Sequence, residues 1–188
     1  YTGSWNGSSN DTKMPYAYYW KYSVSCQIMT AAELGSAKQI TGIETQIAYQ
    51  GSSGHFDRDH FIYLMHTTDS SLINASDVNL TGVNVSDRTL VWSGDVYTPP
   101  SSSGQWTGDV YSYQGPLVLD TNFCYNGTDN LIILWEKRWG SYTSGGPQFE
   151  TNSSAGISSG SFADYDDNSY SNLAPSKGSR RYNIKFRH

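Results

Sequence analysis

Apolar and polar side chains take turns along much of this chain. Tyr16, Tyr18, Trp20, Tyr22, Val24, Cys26 and Ile28 share one parity, and Lys21, Ser23, Ser25 and Gln27 share the other. Successive side chains of a strand point to opposite faces, so this stretch reads as a half-buried strand with Cys26 turned inward. Ile43, Thr45, Ile47 and Tyr49 repeat the pattern. Near the carboxyl end, SRRYNIKF puts Tyr182, Ile184 and Phe186 inward and Arg181, Lys185 and Arg187 outward. FIYLM, from Phe61 to Met65, is apolar on both parities, as in a central strand covered on two faces. TLVW, PLVL and NLIILW add further short apolar runs, while AAELG at Ala31 to Gly35 reads as one helical turn stopped by glycine. Turn signals separate these runs, at Gly51 to Gly54, Pro99 to Gly104, Asn126-Gly127 and Gly145 to Pro147. Roughly seven or more short strands with no long helix predict an all-β chain, a two-sheet antiparallel β-sandwich of jelly-roll type.

One stretch nearly repeats itself: WSGDVY from Trp92 and WTGDVY from Trp106. Folding the chain about Ser101 and Ser102 sets Trp92 opposite Tyr111 and Tyr97 opposite Trp106. That is compatible with an antiparallel hairpin carrying two aromatic cross-strand pairs, in which Gly94 and Gly108 permit a bulge or a close backbone approach; a sugar-stacking platform and coincidence are the alternatives. Ahead of the strands, YTGSWNGSSNDTK forms a Gly/Ser/Asn arm over residues 1–13, with Tyr1 and Trp5 as its large anchors, and residues 14–188 form the sandwich domain.

Composition narrows the function. Aromatic residues make up 14% of the chain and charged residues only 15%, which suits packed strands better than solvated helices. A net charge of -5 disfavours nucleic acid as a partner, because a phosphate backbone is bound through clustered Lys and Arg. No run approaches the roughly 18 apolar residues of a membrane span. Sequons occur at Asn6, Asn10, Asn74, Asn79, Asn84, Asn126 and Asn152, where chance placement gives about three. The excess points to a glycosylated, extracellular surface; the alternative reading is that Asn and Ser/Thr are simply abundant in turns and the sites stay bare. Cys26 and Cys124 either bridge the core, closing a loop of about a hundred residues for a gain of about 4 to 5 kcal/mol, or stand as independent buried thiols.

Catalytic chemistry finds little footing. HFDRDH, from His55 to His60, holds two His and two Asp but matches no metal-ligand spacing, and it reads as a polar loop leading into the strand at Phe61. DYDDNS could bring Asp164, Asp166 and Asp167 to calcium, without the glycine and distal Glu of a known loop. Asp95 and Asp109 are the one carboxylate pair the hairpin sets near aromatic rings. No His stands in a nucleophile motif. The expectation is a protein that is not an enzyme and needs no cofactor.

Four stretches, MPYAYYWKYSVSCQIMTAAELG, ITGIETQIAY, FCYNGTDNLIILWE and SRRYNIKF, together resemble the extracellular jelly-roll modules of secreted and cell-surface Bacteroidetes-type proteins, including fibre-forming surface subunits. In those modules an aromatic opening strand, a turn with Glu-Leu-Gly and a Tyr-x-Gly-Thr-x-Asn-Leu segment recur in this order. The resemblance runs from Met14 onward and departs at Cys26 and Cys124. It implies secretion and a non-catalytic role in adhesion, glycan contact or fibre assembly. Two functions follow as expectations. One is a filament or adhesive-fibre subunit that self-associates through its arm; the other is a carbohydrate-binding module using Trp106, Trp139 and Tyr142.

Overall fold

Strand pairing sorts the chain into two layers. The computed structural model describes residues 2–4, 9–11, 13–49, 51–70, 72, 88–100, 117–139, 145–152, 161–174, 176–178 and 180–188. In chain order the elements are β1 (Thr2–Ser4), β2 (Ser9–Asp11), β3 (Tyr22–Met29), α1 (Ala31–Leu34), β4 (Lys38–Thr45), β5 (Ile47–Tyr49), β6 (His55–Thr67) and β7 (Thr89–Thr98). They continue as β8 (Leu117–Tyr125), β9 (Asn130–Lys137), β10 (Gln148–Asn152), β11 (Ser161–Asp166), β12 (Ser176–Gly178), β13 (Arg181–Tyr182) and β14 (Ile184–Arg187), with a short 3-10 turn at Tyr170–Asn172.

One layer is a six-stranded sheet in the order β12-β11-β3-β9-β6-β7. The other joins a four-stranded sheet, β1-β14-β4-β8, to a smaller one in which β13, β2 and β5 all pair with β10. The two parts are continuous through single residues. Gln46 separates β4 from β5 and Asn183 separates β13 from β14, and Glu150 of β10 bonds to both, accepting from Asn183 N at 2.8 Å and donating to Gln46 O at 2.9 Å. Every pairing among the described residues is antiparallel. The chain is therefore an all-β antiparallel sandwich, as its patterning predicts.

Between the layers lies the main core, built from side chains such as Ile43 and Phe123 on one side and Ile62, Ile133 and Trp135 on the other. A second, smaller core covers the outer face of the six-stranded sheet. There Val24, Cys26, Ile28, Tyr63, Met65 and Leu134 pack together under Leu72 and Leu173. Coverage on both sides explains the doubly apolar FIYLM run. It also corrects the face assignment of β3: the Val24/Cys26/Ile28 side looks into the outer cluster, while Ser23, Ser25 and Gln27 are the buried residues facing the other layer. Burial of these polar side chains is tolerated because each is bonded. Ser23 Oγ accepts from Ala17 N at 3.1 Å, Ser25 Oγ donates to Pro15 O, and Gln27 Oε1 accepts from Tyr182 N at 3.0 Å.

The opening strand is also shorter than expected. It begins at Tyr22, and the aromatic residues before it form a non-strand segment whose Met14, Tyr16 and Ala17 are buried. Ala31–Leu34 is the expected single turn, closed by a capping box between Thr30 and Glu33 and stopped at Gly35, whose φ of 74° favours glycine. At the carboxyl end Tyr182, Ile184 and Phe186 enter the core as expected, but Arg181 does not face solvent. Its guanidinium is buried, bonding Ile28 O at 3.0 Å and Glu33 Oε1 at 2.6 Å.

The cysteines are not bridged. Cys26 points into the outer cluster, whereas Cys124 is exposed on β8, whose neighbouring residues Phe123 and Tyr125 face the core. The two thiols thus leave opposite outer faces of the sandwich, because parity places Cys26 correctly on an apolar side that is not the side between the layers. A native chain is expected to give one fast thiol equivalent with a disulfide-type reagent, from Cys124, and two after denaturation; no reactive thiol in the native chain would contradict this arrangement.

Candidate functional site

Two features stand out: a buried ionic cluster under the six-stranded sheet, and the strands made by the first eleven residues.

The cluster grows from a bulge. Strand β6 already starts at His55, so HFDRDH is strand and not the polar loop its composition suggests. Its pairing with β7 slips between Asp57 and His60, and Asp59 there takes a φ of 55°. In a regular strand residues three apart would face opposite ways; the inserted left-handed residue lets both Asp57 and His60 point inward. The bulge is pinned at both sides, with Asp59 N donating to Asp95 Oδ1 at 3.3 Å and Arg138 N donating to Asp59 O at 3.0 Å. Gly94, opposite His60, permits this, since a Cβ there would stand 3.1 Å from the Trp92 ring.

Lys137 is the cross-strand partner of His60 on β9, and its side chain enters the same space. Its Nζ lies 2.9 Å from Asp57 Oδ2, with both side chains 0% exposed. It also reaches Tyr18 O at 3.2 Å and Ala17 O at 3.4 Å, tying the buried aromatic segment to the sheet. His55 Nε2 and His60 Nε2 stand 3.7 Å and 3.8 Å from the same Oδ2, contacts too long for hydrogen bonds. Trp135 Nε1 donates to His60 Nδ1 at 2.9 Å. Nδ1 is therefore the acceptor, and a neutral His60 carries its proton on Nε2, aimed at the carboxylate. The Tyr16 ring closes the site edge-on to His60 at 4.6 Å.

Burial sets the electrostatics. It pulls Lys137 below its ordinary pKa, against the pull of the Asp57 charge, and it pulls His60 down likewise. Burial alone would raise Asp57, but the two imidazoles and the Lys137 charge outweigh it and hold the carboxyl well below the usual range. For His60 the consequence is an acid sensitivity. Its folded pKa lies below the ordinary 6.5, so above that pH neither state is charged and nothing is lost. As pH falls below about 6.5 the unfolded chain takes up a proton that the fold refuses, at about 1.4 kcal/mol per pH unit. Midpoints of urea unfolding are expected to fall from pH 7 to pH 5, and His60→Gln to flatten that fall; an unchanged slope in the variant would assign the sensitivity elsewhere.

The second feature is the arm. Strand β1 pairs with β14, Thr2 opposite Phe186 and Ser4 opposite Ile184, and β2 pairs with β10, Asp11 opposite Phe149 and Ser9 opposite Thr151. The described strands of the arm thus lie along two strand edges of their own chain, and not on a neighbouring copy as the arm's expected docking role has it. Outside the main-chain pairing its described ties are sparse: Asp11 meets Arg180 at 3.5 Å, and Lys13 Nζ stands 4.8 Å from the Tyr165 ring. Lys13 is exposed, whereas Met14 is buried.

The remaining sequence candidates disperse. Tyr1, Trp5, Asn6, Asn74, Asn79, Asn84, Trp106, Asp109, Tyr111 and Tyr142 lie outside the described residues. Trp92 and Trp135 are core. Trp139 is half-buried, with the Arg58 guanidinium 5.8 Å from its ring. Of the sequon asparagines, Asn126 is exposed, in a turn where its Oδ1 accepts from Thr128 N and Asp129 N at 3.0 Å, and Asn152 is half-buried on β10. The DYDDNS carboxylates accept backbone N–H groups: Asp164 from Ala174 at 2.7 Å, Asp166 from Ser169 at 2.8 Å and Asp167 from Lys21 at 3.2 Å. Lys137 was missed in the sequence because a single Lys ending an apolar run looks like its solvent cap.

Fold and site define an antiparallel β-sandwich whose amino-terminal strands close two edges and whose interior carries an ionic cluster. Comparison with family models, with curated proteins and with solved structures returns no match.

Proposed function

We propose that this protein is a non-catalytic structural subunit that assembles outside the cell into a filament or adhesive fibre, by exchange of its N-terminal strands between copies. The observation that carries the reading is the placement of β1 and β2 as short strands along β14 and β10. Unpaired strand edges are templates for further pairing, and the bonds that satisfy them are main-chain bonds. An identical segment from a neighbouring copy satisfies them equally well, which makes exchange a low-cost route to association. Thirteen extended residues reach about 43 to 47 Å, enough to cross to another sandwich. When each copy gives its arm to the next, the contact is heterologous and propagates as a fibre unless it closes into a ring. The step from exposed Lys13 to buried Met14 marks where an exchanged arm would leave the body.

Deleting residues 1–13 is expected to abolish polymers seen by electron microscopy while far-UV dichroism of the body persists. A peptide of residues 1–13 added in excess is expected to shorten fibres of the full chain by occupying the acceptor edges. Undiminished fibres from the truncated chain, or a full-length chain that stays monomeric at every concentration, would overturn the reading.

A further inference from the structure

We propose that Lys137 and Asp57 condense into an intramolecular amide bond, covalently joining β9 to β6 inside the sandwich. Nζ and Oδ2 are 2.9 Å apart, both side chains are wholly buried, and the pair sits on neighbouring strands that cannot move apart without opening the sheet. This is the close, fixed approach of reactants that turns a slow bimolecular condensation into a unimolecular one.

The chemistry balances within the site. The pair begins as an ammonium and a carboxylate. One proton passes from Nζ to Oδ2 across the contact, leaving an amine and a carboxylic acid. The amine lone pair adds to Cγ, forming the N–C bond; the Cγ–Oδ2 bond then breaks. A second Nζ proton moves to the departing oxygen across the same 2.9 Å contact. The products are one neutral secondary amide and one water, and no oxidant or activated co-substrate takes part. His60 is placed to assist as a neutral donor, because Trp135 holds its proton on Nε2, 3.8 Å from the reacting oxygen. His60 Nε2 is buried without a hydrogen-bond partner, so the resting site leaves polar capacity that the reaction uses.

Two arguments favour this outcome over others at the same atoms. A metal held by His55, Asp57 and His60 needs a lone pair on His60 Nε2, and the Trp135 bond to Nδ1 places a proton there instead. A lasting ion pair keeps two charges out of water, a poor arrangement that amide formation removes altogether. Burial already draws Lys137 toward its nucleophilic neutral form. Water exclusion then protects the amide from hydrolysis. The inference is independent of strand exchange, and its test reads a mass and not an assembly.

Tryptic digestion of the denatured full chain decides it. Cleavage sites at Lys38, Arg58, Arg88 and Arg138 predict one branched peptide joining residues 39–58 to residues 89–138, lighter than the two linear peptides by one water, about 18 Da. Cleavage after Lys137 should be blocked. Lys137→Arg should release the two linear peptides and restore the missing mass. Two linear peptides from the wild-type chain, with normal cleavage after Lys137, would overturn the proposal whether or not any variant folds.

Discussion

Replacing Trp135 by Ala is expected to lower the free energy of unfolding by about 3 to 5 kcal/mol, the range for removing a large aromatic from a core. Trp135 is among the largest fully buried side chains, at 1% exposure. Its ring lies 5.7 Å from Tyr16 and 6.2 Å from His60, so a truncation empties the volume around which the aromatic segment packs. It also strips His60 Nδ1 of the one N–H that fixes its tautomer. Trp135→Phe separates the two losses: most of the ring volume stays, and the cost falls to about 1 to 3 kcal/mol for the unsatisfied nitrogen. Urea unfolding followed by circular dichroism checks both, since the substitution removes a fluorophore. In a domain of this size the Ala variant should melt roughly 10 °C lower. A stability change under about 1 kcal/mol would place Trp135 on a surface, where a sugar ring could stack on it, and would contradict the packing described.

The contrast between Trp135 and its surroundings shows what parity can and cannot reveal. The FIYLM run is legible because apolar residues on both parities read as a strand covered twice, and β6 lies there between the two cores. The polar half of the interior was hidden. Gln27 and Ser25 occupy the parity that ordinarily meets water, and they are buried because backbone groups of Tyr182 and Pro15 bond them. Arg181 is matched by Glu33, 148 positions away. Such partners are set by tertiary folding and leave no local trace. HFDRDH was misread for a further reason: the left-handed turn at Asp59 resets the alternation, so spacing in sequence no longer predicts which residues share a face. The arm was legible as a Gly/Ser-rich segment, but its pairing was not, because main-chain hydrogen bonds along an edge ask little of side chains.

The opposite face of β9 supplies the other large expected effect. Glu136 is buried beneath Arg88 and Arg138, bonding Arg88 Nη1 at 3.2 Å through Oε1 and Arg138 through Oε2. The arginines in turn lie over aromatic rings, Arg88 at 4.4 Å from Tyr63 and Arg138 at 4.6 Å from Phe61, so one carboxylate organises two cation–π contacts above the outer cluster. Glu136→Leu leaves two guanidiniums facing each other over apolar surface. Breaking a buried pair from one side costs about 3 to 5 kcal/mol, and the lower end applies because Arg138 keeps 38% of its side chain exposed and can turn to water. Arg138→Met should cost less, about 1 kcal/mol, since Arg88 still answers the carboxylate. The ordering is the informative part. If the charge network holds Arg88 and Arg138 over the sheet, the Glu136 variant must be the less stable of the two single replacements in chemical denaturation at pH 7. An Arg138 variant as unstable as the Glu136 variant would mean that packing of the arginine stem on Phe61 and Tyr170, at 5.2 Å from the latter ring, holds this face and not the charge.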